Sequence, residues 1–211
     1  MNVLILTPDS VGSTLLQRCL TIQMQLHQFD RPVINIHELT NGLHSVPSER
    51  FGCSILNRAP TRSYHQSLPE IVRLLGCHDH YKISRLAQYH LRQRADSAPD
   101  CADFYQYLND NFYIIACRRR NLLEHALGWA VTNITKKINF FTQEDKDAAF
   151  EDLYRTGVYV DQDALVDQLE AYRSYTQWVE QYFRVGSYFE YERDVGRIEE
   201  WILNTPVFAS C

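Results

Sequence analysis

The run Thr7-Pro8-Asp9-Ser10-Val11-Gly12-Ser13-Thr14-Leu15-Leu16 carries the residue types that hold an anion. Gly12 permits a tight turn, and Ser13 and Thr14 stand where a helix is predicted to begin. Free backbone amides, the positive end of the helix dipole and both hydroxyls therefore converge on one point. A plain strand-to-helix turn capped by Ser or Thr uses the same residues. The run is not the triphosphatase loop G-x-x-x-x-G-K-[ST], because Gly12 is followed by Ser13 and no Lys lies nearby. A second candidate is Arg118-Arg119-Arg120-Asn121, which follows the apolar run Phe112-Tyr113-Ile114-Ile115-Ala116-Cys117. Guanidiniums at the carboxyl end of a buried strand border the crevice where open α/β sheets bind ligands, and Arg grips phosphate bidentately. The same run also serves to solvate a strand end. Taken as a pair, the two sites imply a ligand with phosphates at both ends.

These residues need a parallel sheet to position them. Val3 to Leu6 is continuously apolar, as expected of a central strand covered on both faces. A helix is predicted over roughly residues 13–28, with Leu15, Leu16, Cys19, Leu20 and Met24 on its apolar face. Arg31-Pro32 turns the chain into a strand over Val33 to His37. Leu39 to Ser67 has no clear periodicity and is long enough to shape an acceptor site. A helix over 69–75, a strand over 81–86, irregular helix through Pro99 and a short helix over 103–109 lead into the arginine-bearing strand, and a helix from Leu122 to about Val131 follows it. Two acidic helices are predicted over 143–155 and 161–183, then a strand over 186–191 and a helix over 195–203. Alternating strands and helices predict one α/β domain over residues 1–211, a three-layer sandwich with a mainly parallel central sheet.

The chain resembles the sulfotransferases that use 3′-phosphoadenosine 5′-phosphosulfate (PAPS), in particular a divergent bacterial or viral-like branch. Their first strand ends in a loop of the type P-[KR]-S-G-[ST]-T that holds the 5′-phosphosulfate, and Gly12-Ser13-Thr14-Leu15-Leu16 is similar to it. A later strand of theirs ends in an Arg followed eight residues on by a Ser, which together hold the 3′-phosphate; Arg118 to Leu127 resembles that segment. Gly186-Ser187-Tyr188-Phe189-Glu190-Tyr191-Glu192 and the helix after it are similar to the Tyr-Glu strand and closing helix of bacterial-type members. The resemblance implies a P-loop NTPase-like sulfotransferase architecture, PAPS as co-substrate with no metal, and sulfuryl transfer to a hydroxyl or amine of a small-molecule, carbohydrate or peptide acceptor. It implies cofactor binding by Ser10, Val11, Gly12, Ser13, Thr14 and Leu15 at the 5′ end, and by Arg118 and Arg120 at the 3′-phosphate.

Ser10 stands where the family places a Lys or Arg, and Gly128 where it places the Ser. The cytosolic eukaryotic element G-x-x-G-x-W-K is missing. A cation at the first position stabilises charge on the leaving phosphate, so catalysis requires another basic residue. Lys82 and Arg85, in the strand His80-Tyr81-Lys82-Ile83-Ser84-Arg85, are placed to supply it. His37 and Glu38, at the end of the second strand, are the candidates for the base that deprotonates the acceptor. His37, Glu38 and Lys82 are thus the candidate catalytic residues. Two rival classes are a divergent P-loop nucleotide kinase, opposed by the missing loop Lys, and a non-catalytic nucleotide-binding module, favoured by Ser10.

At 211 residues and 45% hydrophobic, the chain can bury one substantial core. No apolar run reaches the ~18 residues of a membrane span, and the N-terminus runs directly into a strand, leaving no room for a signal peptide. The six cysteines show no C-x-x-C pair or metal spacing, and His65, His78, His80 and His90 lack ligand spacing; the cysteines read as reduced thiols of a cytoplasmic protein. A formal net charge of −5 hides an asymmetry: residues 50–94 hold eight Lys or Arg against two acids, and residues 144–170 hold nine acids against two bases. The basic half suits an anionic ligand, while the overall sign and the missing basic-helix or zinc-finger patterns argue against nucleic acid.

Overall fold

Val3, Leu4, Ile5 and Leu6 are all fully buried. A strand whose successive side chains point to opposite faces can satisfy that only when both faces are covered. A computed structural model, which describes residues 1–8, 11–27, 33–39, 68–76, 81–88, 98–135 and 143–208, shows how. Strand β1 (Asn2–Thr7) lies at the centre of a five-stranded sheet with β2 (Val33–Glu38), β3 (Tyr81–Ala87), β4 (Phe112–Arg118) and β5 (Ser187–Glu190). The order is β2-β3-β1-β4-β5, and every pair is parallel.

Parallel neighbours require crossovers, and right-handed crossovers assign each helix to a face. The first crossover, from β1 out to β2, carries α1 (Ser13–Leu26). The next two, β2 to β3 and β3 to β4, run the opposite way across the sheet and carry α2 (Leu68–Gly76) and α3 (Ala98–Asn111) on the other face. In keeping with this, α2 packs on α3. The result is an α/β fold with helices above and below a parallel sheet.

The α1 face is closed by Leu16, Leu20 and Met24 against Val3, Ile5, Ile83, Ile115, Cys117 and Phe189, with Ile202, Val207 and Phe208 of the C-terminal segment completing the cluster. On α3, Phe104 and Leu108 are buried, and Trp178 donates its indole N–H to the Tyr105 hydroxyl at 3.0 Å. A polar network also ties α1 to β2: Gln17 donates to Asn35 Oδ1 at 2.8 Å and to the Ile36 carbonyl at 3.2 Å, and Asn35 donates to Thr21 Oγ1 at 3.0 Å.

The chain divides into two compact units. The first, Met1–Arg120 with Gln177–Cys211, contains the whole sheet. It closes with a helical turn α7 (Tyr191–Asp194), a 3-10 turn (Val195–Arg197) and α8 (Ile198–Leu203). The second, Asn121–Thr176, is helical: α4 (Leu122–Thr135), α5 (Gln143–Thr156) and most of α6 (Gln162–Tyr182). Within it, His125 is buried edge-on to Tyr172, ring centroids 5.2 Å apart. Among the described residues, no helix is long and apolar enough to cross a membrane.

Candidate functional site

The outgoing connections of β1 and β4 diverge. The chain leaves β1 for β2 on one side and leaves β4 for β5 on the other. Where neighbouring strands part company in this way, their carboxyl ends frame a crevice. Both candidate anion motifs open onto it.

On the β1 side, Gly12 caps α1 with φ 72° and ψ 11°, a left-handed conformation open to glycine at little cost. The Leu16 amide closes the first helical turn on the Gly12 carbonyl at 3.0 Å. The amides of Ser13, Thr14 and Leu15 precede that bond and have no intrahelical acceptor. Among the described residues no side chain caps the helix, and its first turn holds no acidic residue. A helix start of this kind favours a bound anion.

Arg85 completes it. The side chain is 7% exposed, and one terminal nitrogen donates to Ser13 Oγ at 3.2 Å and to Thr14 Oγ1 at 2.5 Å. Strand parity explains why Arg85 arrives here: Ile83 lies in the α1-side core, so Arg85, two residues on, points to the same face. Its charge also acts on Cys117. Burial pushes that thiol from 9.0 up to about 12, and the Arg85 guanidinium partly opposes the rise.

Lys82 is placed differently. It is buried at the amino end of β3, where its amide donates to Asn2 Oδ1 at 3.0 Å. Since Thr7 pairs with Ala87, Lys82 lies five residues below the loop, about 16 Å at ~3.3 Å per residue. It also faces away from Arg85's side. A four-carbon stem does not cover that distance, so the cation beside the loop is Arg85 rather than Lys82.

On the β4 side, the three arginines do different things. Arg118 stacks on Tyr188, its guanidinium carbon 3.3 Å from the ring centroid. Arg119 lies 4.5 Å over the Tyr191 ring and pairs with Glu192 Oε1 at 2.7 Å. Arg120 is exposed, and its backbone amide donates to Glu192 Oε2 at 2.9 Å. The corner that supplies these partners is itself braced: Asp194 accepts the Glu190 amide at 2.7 Å and binds Arg193 through both oxygens at 2.7 and 2.8 Å. Burial alone would raise the Asp194 pKa. The Arg193 hydrogen bond, the Glu190 amide and the charges of Arg193 and Arg197 outweigh it and hold the carboxyl below its usual value.

Of the sequence-predicted residues, Val11, Gly12, Ser13, Thr14 and Leu15 form the start of α1, with Val11 fully buried and Leu15 exposed. Arg118 and Arg120 stand at the opposite lip. Ser10 and the 40–67 stretch lie outside the described residues, and His37 and Glu38 are described in backbone only. That backbone holds a register shift: Ile36 pairs with Ser84 but Glu38 with Arg85, leaving His37 as the extra residue of a bulge. Gly128 lies in α4, in the second unit. Sequence reasoning assigned no role to Tyr188, Tyr191 and Glu192; the visible signal was the Tyr-Phe-Glu-Tyr-Glu run. No family model matches the chain, and no curated protein matches it.

Proposed function

We propose that the crevice binds a nucleotide phosphorylated at both ends, PAPS, and that the protein is a sulfotransferase. The observation that carries this reading is Arg85, a buried guanidinium laid on the hydroxyls of Ser13 and Thr14 where α1 begins. It supplies the charge that Ser10 does not. The 5′-phosphosulfate then meets the amides of Ser13, Thr14 and Leu15, and the 3′-phosphate meets Arg118 and Arg120 across the crevice. This separation of tasks matches the opposed lips of the β1/β4 edge.

In the reaction, the acceptor's oxygen or nitrogen attacks the sulfur as the bond from sulfur to the 5′-phosphate oxygen breaks. The electron pair leaves on the phosphate, forming 3′-phosphoadenosine 5′-phosphate (PAP), and the acceptor's proton passes to a base. Arg85 and the α1 amides stabilise charge on the departing phosphate; preorganised donors of this kind contribute ~10²–10³-fold in rate each. His37 and Glu38 remain the base candidates, because β2 ends beside Arg85. No step calls on a metal.

Isothermal calorimetry tests the reading. Charged hydrogen bonds to the 3′-phosphate, at ~1.5–3 kcal/mol, predict that PAP binds about 10- to 150-fold more tightly than adenosine 5′-monophosphate (AMP). Equal affinities would remove the second phosphate site and the reading with it.

A further inference from the structure

One dipeptide, Tyr191-Glu192, touches both lips of the crevice. A Cβ placed on Gly12 would come within 2.7 Å of Tyr191 Cδ2 and Cε2, so the glycine lies flush against the ring edge. The guanidinium of Arg119 covers the same ring at 4.5 Å, and Glu192 holds both Arg119 Nε at 2.7 Å and the Arg120 amide at 2.9 Å. Tyr191 also packs against the α1-side core, which limits its freedom to tilt. Strand pairing sets the spacing of β1 and β4 only as far as the strands extend, with Leu6 opposite Ala116. Beyond their ends the two loops need a separate brace.

We infer that Tyr191 is that brace, a rigid spacer fixing the distance between the two anion-binding lips so that the site selects nucleotides by the separation of their phosphates. Tyr191 and Glu192 act as positioning residues, through Gly12 on one side and the arginine turn on the other. A flat ring suits the task because it has few rotatable bonds and fills the gap with a defined thickness. Arg118, stacked on Tyr188, is held by the same corner and has its N–H edge left to point elsewhere. The inference rests on the proposed bisphosphate-nucleotide site, and it adds that the site distinguishes the 3′,5′ from the 2′,5′ arrangement.

The test compares PAP, adenosine 2′,5′-bisphosphate and AMP by calorimetry on wild type, Tyr191→Phe, Tyr191→Leu and Arg119→Gln, with thermal unfolding of each. Wild type is expected to prefer the 3′,5′ isomer over the 2′,5′ isomer by about tenfold or more. Tyr191→Phe, which keeps the ring, should retain that preference. Tyr191→Leu should reduce it to about threefold or less while changing AMP affinity by no more than about threefold. Arg119→Gln, which loosens the brace from its other end, should act likewise and carries the test if the Leu variant does not fold. An isomer preference left intact in Tyr191→Leu, or in Arg119→Gln where the Leu variant does not fold, would make the ring merely structural and overturn the spacer, whatever the change in Tm. A wild type that prefers PAP over AMP yet ignores the isomer overturns the spacer alone, whereas one that does not distinguish PAP from AMP overturns the nucleotide reading as well.

Discussion

Replacing Arg85 by Gln removes a guanidinium that reaches the start of α1. Wild-type Arg85 donates to Ser13 Oγ at 3.2 Å and Thr14 Oγ1 at 2.5 Å from a position 7% exposed. Gln is neutral but still donates, so it retains part of the hydroxyl contact and leaves no buried charge behind. The loss therefore falls on the ligand. One charge-assisted hydrogen bond is typically worth ~1.5–3 kcal/mol, which raises the Kd for PAP by about 10- to 150-fold. Because phosphate charge grows as the sulfuryl group departs, release of PAP from PAPS should slow further, by ~10²–10³-fold. Arg85→Lys keeps the charge without the planar fork and should recover only part of the binding. The assays are calorimetry with PAP and chromatographic measurement of PAP formed from PAPS, with a melting curve for each variant to exclude unfolding. If Arg85→Gln is folded and remains within about threefold of wild type in both assays, the guanidinium is not the catalytic cation and the reasoning fails.

Gly12→Ala should destabilise the protein by more than the ~1–2 kcal/mol of a left-handed residue, since φ is 72° and the new methyl would meet Tyr191 at 2.7 Å; chemical denaturation measures it. Gly128→Ser meets nothing within 4 Å at its Cβ and should leave the melting temperature nearly unchanged. Cys117, its thiol pushed from 9.0 to about 12 by burial, stays protonated in the folded state while the unfolded chain ionises. Its contribution to stability is thus complete below about pH 9 and lost as pH rises toward 12, on the order of 1 kcal/mol between pH 8 and 10. Urea titrations should show that loss in wild type and not in Cys117→Val. Asp194 has the opposite sign: its lowered pKa stabilises the fold above the ordinary carboxylate value of 3.8 and is lost as pH falls through the folded value. Asp194→Asn should be less stable at pH 7, by ~1.5–3 kcal/mol, and lose less than wild type on going to pH 3.

The strands were legible because their signals are local. Val3 to Leu6 and Ile114 to Cys117 are unbroken apolar runs, and the structure puts strands there at Asn2–Thr7 and Phe112–Arg118. Gly12 followed by Ser13 marked the start of α1 to the residue. The helix expected over 103–109 instead runs Ala98–Asn111, since Pro99 fits a first turn and does not end a helix. Strand order was not legible: which strands pair is decided by crossover handedness and long-range burial. That order makes β1 and β4 neighbours and creates the crevice. Lys82 and Arg85 show the same limit within one strand. Both are basic and both are buried, and only the face and the depth, set by pairing with β1, assign one to the loop and the other to the far end.

A crystal structure of the complex with PAP would locate both phosphates. The expected complex has the 5′-phosphate on the amides of Ser13, Thr14 and Leu15 within hydrogen-bonding distance of Arg85, and the 3′-phosphate on the side chains of Arg118 and Arg120. A nucleotide seated away from the carboxyl ends of β1 and β4, or bound there with neither phosphate reaching the arginine turn, would contradict it.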